Sequence, residues 1–292
     1  MSPFVVTGLG HVVLPHDAEG CDSRPYLRVP KSRKFMGQQD ELAVVAAGRA
    51  LASARLGPAH LGEHAGLFVA VGYIPFAAED IDALIEASLD PEGALSMAHF
   101  STTGSAAVSP LLTFRCLPNM PAYHISANFD VQGPYMVSYP GPGQLYGVLE
   151  QALLALSTGH IDRALVGGVA DQRNFLVAEL LARLEPPVPF ARLLNAAGFL
   201  VLETAEAAER RGAAVLARLR NWQVAYHAHA PFTEAPVPSE HFRGVEALEG
   251  ELGVSSLPVT LSHAHESGAE SLSHTLASRD GILAESTWDL LR

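Results

Sequence analysis

The sequence predicts an α/β domain with a mostly parallel sheet. Short apolar runs of strand length alternate along the chain with longer stretches of helical period, the pattern of that class. Hydrophobic residues make up 48% of the 292 residues, enough to bury a sizeable core in one large domain. Charged residues are only 17%, against an ordinary share of about a quarter. So thin a charged surface implies that a partner covers part of it.

The elements follow in order. Phe4 to Gly10 reads as a buried strand ending in a Gly turn. Gly8 and Gly10 open a GxG, but the third glycine of a dinucleotide fingerprint is absent. Arg24 to Lys34 reads as a loop. Asp40 to Leu56 has strong helical spacing through Leu42, Val45, Ala46, Leu51 and Ala54, and Gly57-Pro58 stops it. Gly66 to Gly72 is a second buried strand, and Glu79 to Leu89 an amphipathic helix. Tyr135 to Tyr139 is a short strand after the turn at Gly133-Pro134. Pro140-Gly141-Pro142-Gly143 is a sharp turn, and Gly141 and Gly143 fit it without any catalytic role. The helix Gln144 to Thr158 is apolar nearly all round, which predicts burial. Strands follow at Ile161 to Val169, Ala197 to Leu202 and Ala214 to Ala225, with a helix from Thr204 to Arg211. The remainder reads as a helix at Arg243 to Leu252, a strand at Leu257 to Leu261 and a helix at Ser267 to Ala277.

Charge and motifs exclude several functions. The formal net charge of -12 is the opposite of a nucleic-acid-binding footprint. It also repels an acidic carrier protein unless a local basic patch exists. Arg28, Lys31, Arg33 and Lys34 form the one dense basic run, read as a solvated loop. No apolar run approaches the roughly eighteen residues of a membrane span, and the N-terminus lacks the charged region of a signal peptide, so a cytoplasmic protein is expected. Two cysteines, Cys21 and Cys116, make no disulfide framework and no CxxC pair. Cys116 reads as a small buried hydrophobe, Glu203 as structural, and His160 with Asp162 as solvated. Neither GxSxG nor a Walker loop is present. Two His-x-His pairs, His227/His229 and His263/His265, have no Cys or carboxylate in a recognised pattern around them, so no metal and no cofactor is assigned.

Several motifs in one order resemble the β-ketoacyl synthase family of the thiolase fold. Val5-Val6-Thr7-Gly8-Leu9-Gly10 is similar to its opening VVTGLG. Leu117 to Ser126 with Gly133-Pro134 resembles PNxxAxxIS…GP, in wording closest to chain-length-factor-like members. Leu165 to Val169 resembles its LAGG strand, Ala197 to Glu203 its GxLVLE strand, and Ala225 to Pro231 its DAYHxTAP segment. The resemblance implies a thiolase-like layered αβαβα fold in a single domain over 1–292, with an N-terminal half at 1–205 and a shortened C-terminal half at 206–292.

It also locates a loss. The family's cysteine sits eight residues after the Pro of GP, and the count from Pro134 lands on Pro142; counting back from Gly167-Gly168 agrees. Proline supplies neither a thiolate nor a backbone N–H for the oxyanion. Val254-Ser255-Ser256 with Ser262-His263 and Gly268-Ala269 is similar to VSSxKxxxGHxxGA. Pro258 then replaces the lysine, His263 is a possible remnant of the second histidine, and the NAHGTST segment is missing. A competing alignment puts His265 on NAHGTST. Met120, Tyr139, Gln144 and His265 are candidate pocket or interface residues. The resemblance implies a non-catalytic, chain-length-factor-like subunit that pairs with an active ketosynthase and meets an acyl carrier protein through the complex, in polyketide or fatty-acid-like biosynthesis. The alternative is a thiolase fold reused as an acyltransferase or hydrolase with a histidine base.

Overall fold

The structure, a computed structural model, describes residues 3–18, 20–57, 60–76, 78–141, 143–183, 189–226, 252–277 and 281–292. In chain order its main elements are β1 (Phe4–Val13), α1 (Gln38–Ser53), β2 (Ala65–Val71), α2 (Ala78–Glu86), α3 (Met120–Phe129), β3 (Tyr135–Ser138), α4 (Gln144–Ser157), β4 (Arg163–Ala170), α5 (Phe175–Ala182), β5 (Ala196–Thr204), α6 (Ala205–Arg210), β6 (Ala217–Tyr226), α7 (Ser256–Glu266), β7 (Ser271–Ala277) and β8 (Ile282–Leu290). The strands form one sheet in the order β3-β2-β4-β5-β1-β6-β8-β7.

The sheet is not mostly parallel. Only β2 with β3 and β2 with β4 run parallel. The pairs β4–β5, β5–β1, β1–β6, β6–β8 and β8–β7 are all antiparallel. Alternating helices and strands predict parallel pairing only when each helix carries the chain back to the same sheet end. Here α5 and α6 are too short for that, and β6, β8 and β7 form an antiparallel meander.

Two apolar clusters lie on opposite faces of the first five strands. On one face α1 and α3 supply Leu42, Val45, Leu51 and Ile125, packed with Leu67 and Phe199. The helix lies almost on the backbone of β1: a Cβ on Gly8 or on Gly10 would sit 2.3 Å from backbone atoms of Ala50. Close packing is therefore what those two glycines do, and the GxG needs no ligand. On the other face α4 and α7 supply Leu149, Leu153, Leu257 and Leu261, packed with Phe68 and Leu200. Gly168 has the same use here, since a Cβ would meet the Val254 carbonyl oxygen at 2.1 Å.

Among the described residues the meander joins the larger part of the sheet through Val5↔Arg218 and Val6↔Ala217. Its residues Leu276, Ala284 and Trp288 belong to the cluster containing α4 and α7, so the meander curls over those helices. α4 buries a broad face through Leu145, Tyr146, Val148, Leu149, Ala152, Leu153 and Leu156, but Gln151, Leu154 and Ser157 are exposed, so it is not enclosed all round as its composition predicts. Each of its buried leucines contributes about 1.5–3 kcal/mol of apolar burial. The layers run helix, sheet, helix, sheet. The outer face of the meander is polar, with Arg220 on Asp289 at 2.5 Å and Gln223 on Glu285 at 2.9 Å. A face of that composition is stable in water.

Local predictions near the C-terminal end need correcting. Leu257 to Leu261 is not a strand but the first half of α7. A short apolar run fits either state, and Pro258 sits in the first helical turn, where no intrahelical N–H bond is lost. Residues 271–277 are strand β7 rather than helix; Leu272, His274 and Leu276 alternate with Ser271, Ser273 and Thr275, a period of two. The segment after Gly281 forms strand β8. Of the basic run, Lys31, Arg33 and Lys34 lie in a 3₁₀ turn at Pro30–Phe35, and Arg28 just precedes it. The helix expected at Arg243 to Leu252 lies outside the described residues except for Leu252.

Candidate functional site

The site lies where the N-terminal ends of α4 and α7 meet. After β3 the chain passes the cis Tyr139–Pro140 bond and Gly141, with φ 107°, before α4 begins at Gln144. Pro142, the position counted for the nucleophile, lies outside the described residues, as do His227 and His229. Gln144 accepts a hydrogen bond from the Ser138 hydroxyl, which ties the helix start to the end of β3. Tyr139 is 39% exposed on the same connection. Met120, at the first position of α3, is buried.

A residue that sequence reasoning missed holds the two helices together. His274 on β7 is 2% exposed. Its Nδ1 lies 2.8 Å from the Tyr146 hydroxyl of α4, and its Nε2 lies 2.9 Å from the Ser256 hydroxyl of α7. Tyr146 also reaches Ser286 Oγ at 2.9 Å, and Trp288 Nε1 donates to that same oxygen at 2.8 Å. Burial pushes the His274 pKa down to about 4, so the imidazole is neutral at pH 7. In either neutral tautomer one ring nitrogen donates and the other accepts, and hydroxyls can serve both roles, so both ring nitrogens are satisfied. The signal available in the sequence was the strand alternation of 271–277, which places His274 on the inner face.

Acid should therefore act on this contact. In the unfolded chain the histidine titrates at the ordinary imidazole value of 6.5. The folded pKa is depressed, so the contribution is full above pH 6.5, declines as pH falls from 6.5 toward 4, and is gone below 4. Relative to His274→Gln, the wild-type chain is expected to lose about 3 kcal/mol across that window. Urea unfolding at pH 7 and pH 4.5 measures the difference; equal pH slopes for the two proteins would refute a neutral buried His274.

His263 lies elsewhere. It is seven residues along α7 from Ser256, roughly 10 Å at the helical rise, and is exposed at the last turn. Its Nε2 faces His11 Nε2 of β1 at 3.1 Å. His265 is half-buried in the same turn. Pro258 is buried between them and Ser256, with its Cβ over Gly198 of β5. The sequence-derived candidates are therefore split: Gln144 and Pro258 flank the helix junction, and His263 does not.

Two cavities lie nearby in the fold. One, of about 420 Å³, opens past the C-terminal ends of β2 and β4 and is lined by Gln38, Arg115, Cys116, Asp171, Arg173 and others. Burial raises the Asp171 carboxyl to about 6. Cys116 lines this cavity, half-buried, with Sγ 3.9 Å from the Pro75 carbonyl oxygen. The other, of about 360 Å³, lies between α3 and β3 and is lined by Asn119, Tyr123, Gln132, Tyr135 and others. It adjoins the open edge of β3, where Tyr135 is 73% exposed.

The description "Beta-ketoacyl synthase, N-terminal domain" fits residues 10–185 of the sequence, more than half of the chain. No curated protein matches it in sequence. Solved structures share the fold. A type II polyketide synthase acyl-carrier protein in complex with its ketosynthase bound to the hexaketide (AntDE:AntF) superposes with a TM-score of 0.74 at 15% identity, over 100% of both chains. A β-ketoacyl synthase from Burkholderia phymatum STM815 gives 0.70 at 16% identity, again over 100% of both. The ishigamide ketosynthase/chain length factor gives 0.68 at 16% identity, over 99% of both. At these identities the likeness establishes the fold alone.

Proposed function

Because this chain belongs to the β-ketoacyl synthase family through its N-terminal domain, we propose that it is a non-condensing, chain-length-factor-like subunit that pairs with an active ketosynthase. The observation that carries the reading is Pro142 at the position counted for the nucleophile. A condensing enzyme needs a thiolate at a helix N-terminus and an N–H beside it, and proline offers neither. The other cysteines do not compensate. Cys116 lies in the cavity with Asp171. Cys21 packs against the α1 face, and burial raises its pKa to about 11, so it is a thiol at neutral pH.

The open edge of β3 supports pairing. β3 is the terminal strand of the sheet, with its outer side unpaired among the described residues, and a bare edge is a template for another strand. The α3–β3 groove beside it presents Tyr123 and Tyr135, amphipathic side chains suited to an interface. In this reading the chain shapes the acyl pocket of its partner, and the acyl carrier protein delivers to the complex rather than to the acidic chain alone. The single-domain organisation, with halves at 1–205 and 206–292, belongs to the same proposal.

Reuse as a hydrolase gains little from the geometry. The Ser256–His274 contact resembles a hydroxyl and its base. An imidazole with a pKa of about 4, sealed from solvent, is too weakly basic to take a proton at neutral pH.

Co-expression with an intact ketosynthase tests the proposal. A stable one-to-one complex is expected on size-exclusion chromatography with light scattering. A chain that purifies alone as a stable homodimer and never binds a ketosynthase would rule the proposal out.

A further inference from the structure

A second polar cluster lies at the far end of α7 and has no use in pairing. His263 and Glu266 are three residues apart on that helix and therefore project from one face. His11 projects toward them from β1. The two Nε2 atoms are 3.1 Å apart, and the rings stand nearly perpendicular, at 84° with centroids 4.6 Å apart. The Glu266 carboxylate is 3.8 Å from His11 Nδ1. One ligand atom from each residue lies within 4.8 Å of the others. The Leu257-to-Leu261 misreading hid this arrangement from the sequence, because only a helix brings His263 and Glu266 to one side.

The spacing has a chemical meaning. Two imidazole nitrogens on one tetrahedral zinc ion, with bonds of about 2.0–2.1 Å, are about 3.3 Å apart. The observed separation is close to that value. Glu266 is exposed, with 63% of its side chain accessible, so its carboxylate swings onto the ion at little cost. Arg49 donates Nη1 to the His11 carbonyl oxygen at 2.6 Å and is fixed on the backbone. The scaffold is rigid: His11 is paired with Gly198 of β5 inside the sheet, and α7 rests on β1 and β5. Two imidazoles and a carboxylate are a nitrogen-and-oxygen donor set suited to borderline divalent ions, and three protein ligands leave a fourth position for water.

We propose that His11, His263 and Glu266 form a binding site for one divalent transition-metal ion of the zinc class, with water in the fourth position. The ion clamps the C-terminal turn of α7 onto β1. The site does not depend on the pairing reading, and the failure of either leaves the other standing.

The test uses the full chain, stripped with a chelator and titrated with Co²⁺ and then Zn²⁺. One ion per chain is expected, with the visible bands of four-coordinate Co²⁺, displacement by Zn²⁺ and a higher unfolding midpoint with Zn²⁺ present. His11→Asn and His263→Asn should each weaken binding about tenfold or more and remove the Zn²⁺-dependent rise in midpoint. His160→Asn, at an exposed histidine bonded to Thr158, should change neither. Circular dichroism confirms that each variant is folded. Failure to saturate at one ion per chain, or binding undiminished in both His11→Asn and His263→Asn, overturns the proposal.

Discussion

Replacing Glu203 by Gln is expected to cost about 3–5 kcal/mol of folding stability, a large part of the roughly 5–15 kcal/mol that holds a domain together. Glu203 is fully buried at the end of β5. Its Oε1 accepts from the Thr7 hydroxyl at 2.5 Å and from Arg211 Nη2 at 2.5 Å, while Oε2 accepts from Arg211 Nε at 2.9 Å. Arg163 Nε stands 4.0 Å away. The amide removes the charge that two guanidinium groups face and turns an N–H₂ toward donors. Thr7 sits at the register shift of β1 against β5, so the irregular point of the central strand loses its anchor too. Equilibrium urea unfolding reads the effect. A change below about 1 kcal/mol would mean that solvent or a rearranged Arg211 compensates, contrary to the burial described.

Replacing Val137 by Pro is expected to weaken partner binding sharply while leaving the chain folded. In a parallel ladder the bonded residues alternate along a strand. The Leu67 N–H donates to the Pro134 carbonyl at 3.0 Å, and Leu67 stands opposite Tyr135. Pro134, Met136 and Ser138 therefore bond inward to β2, and the backbone groups of Tyr135 and Val137 face outward. An edge strand tolerates proline where its N–H points away from the sheet. A partner strand, however, loses a donor and meets the pyrrolidine ring. The cost is about 2–4 kcal/mol, a factor of about 30 to 1,000 in affinity. Titration against the co-expressed ketosynthase measures it, with unfolding of the free variant as control. Undiminished affinity in the folded variant would show that pairing does not use this edge.

Much of the fold was legible in the sequence, and the parts that were not share a cause. Long, strongly periodic segments such as 40–56 and 144–158 were readable because each carries its own burial pattern. Strand direction was not, because alternation of element types says nothing about which sheet end the chain returns to. The segment 256–277 exchanged its helix and strand because Pro258, Val259 and Thr260 look like a strand, while the one histidine and the two serines of 271–277 conceal an inner face. The candidate site was half legible. Motif order led to the start of α4. Its contact with His274 joins residues 128 positions apart, and the contact of His263 with His11 spans 252. Pairings that distant leave no local trace.

The position of β1 in the sheet bears on how the chain comes off the ribosome. β1 is synthesised about two hundred residues before either of its neighbours: Phe4 faces Thr204 of β5, and Val5 faces Arg218 of β6. At ordinary elongation rates of about 5–20 residues per second, the strand waits roughly 10–40 s for its partners. Val6, buried at the end on the face away from α1, stands bare for that time. α1 follows sooner and covers one face of the strand through Gly8 and Gly10, but both backbone edges remain open. The nascent chain should therefore engage chaperones early and aggregate when they are limiting, and premature termination before residue 204 should yield insoluble fragments rather than a smaller folded domain.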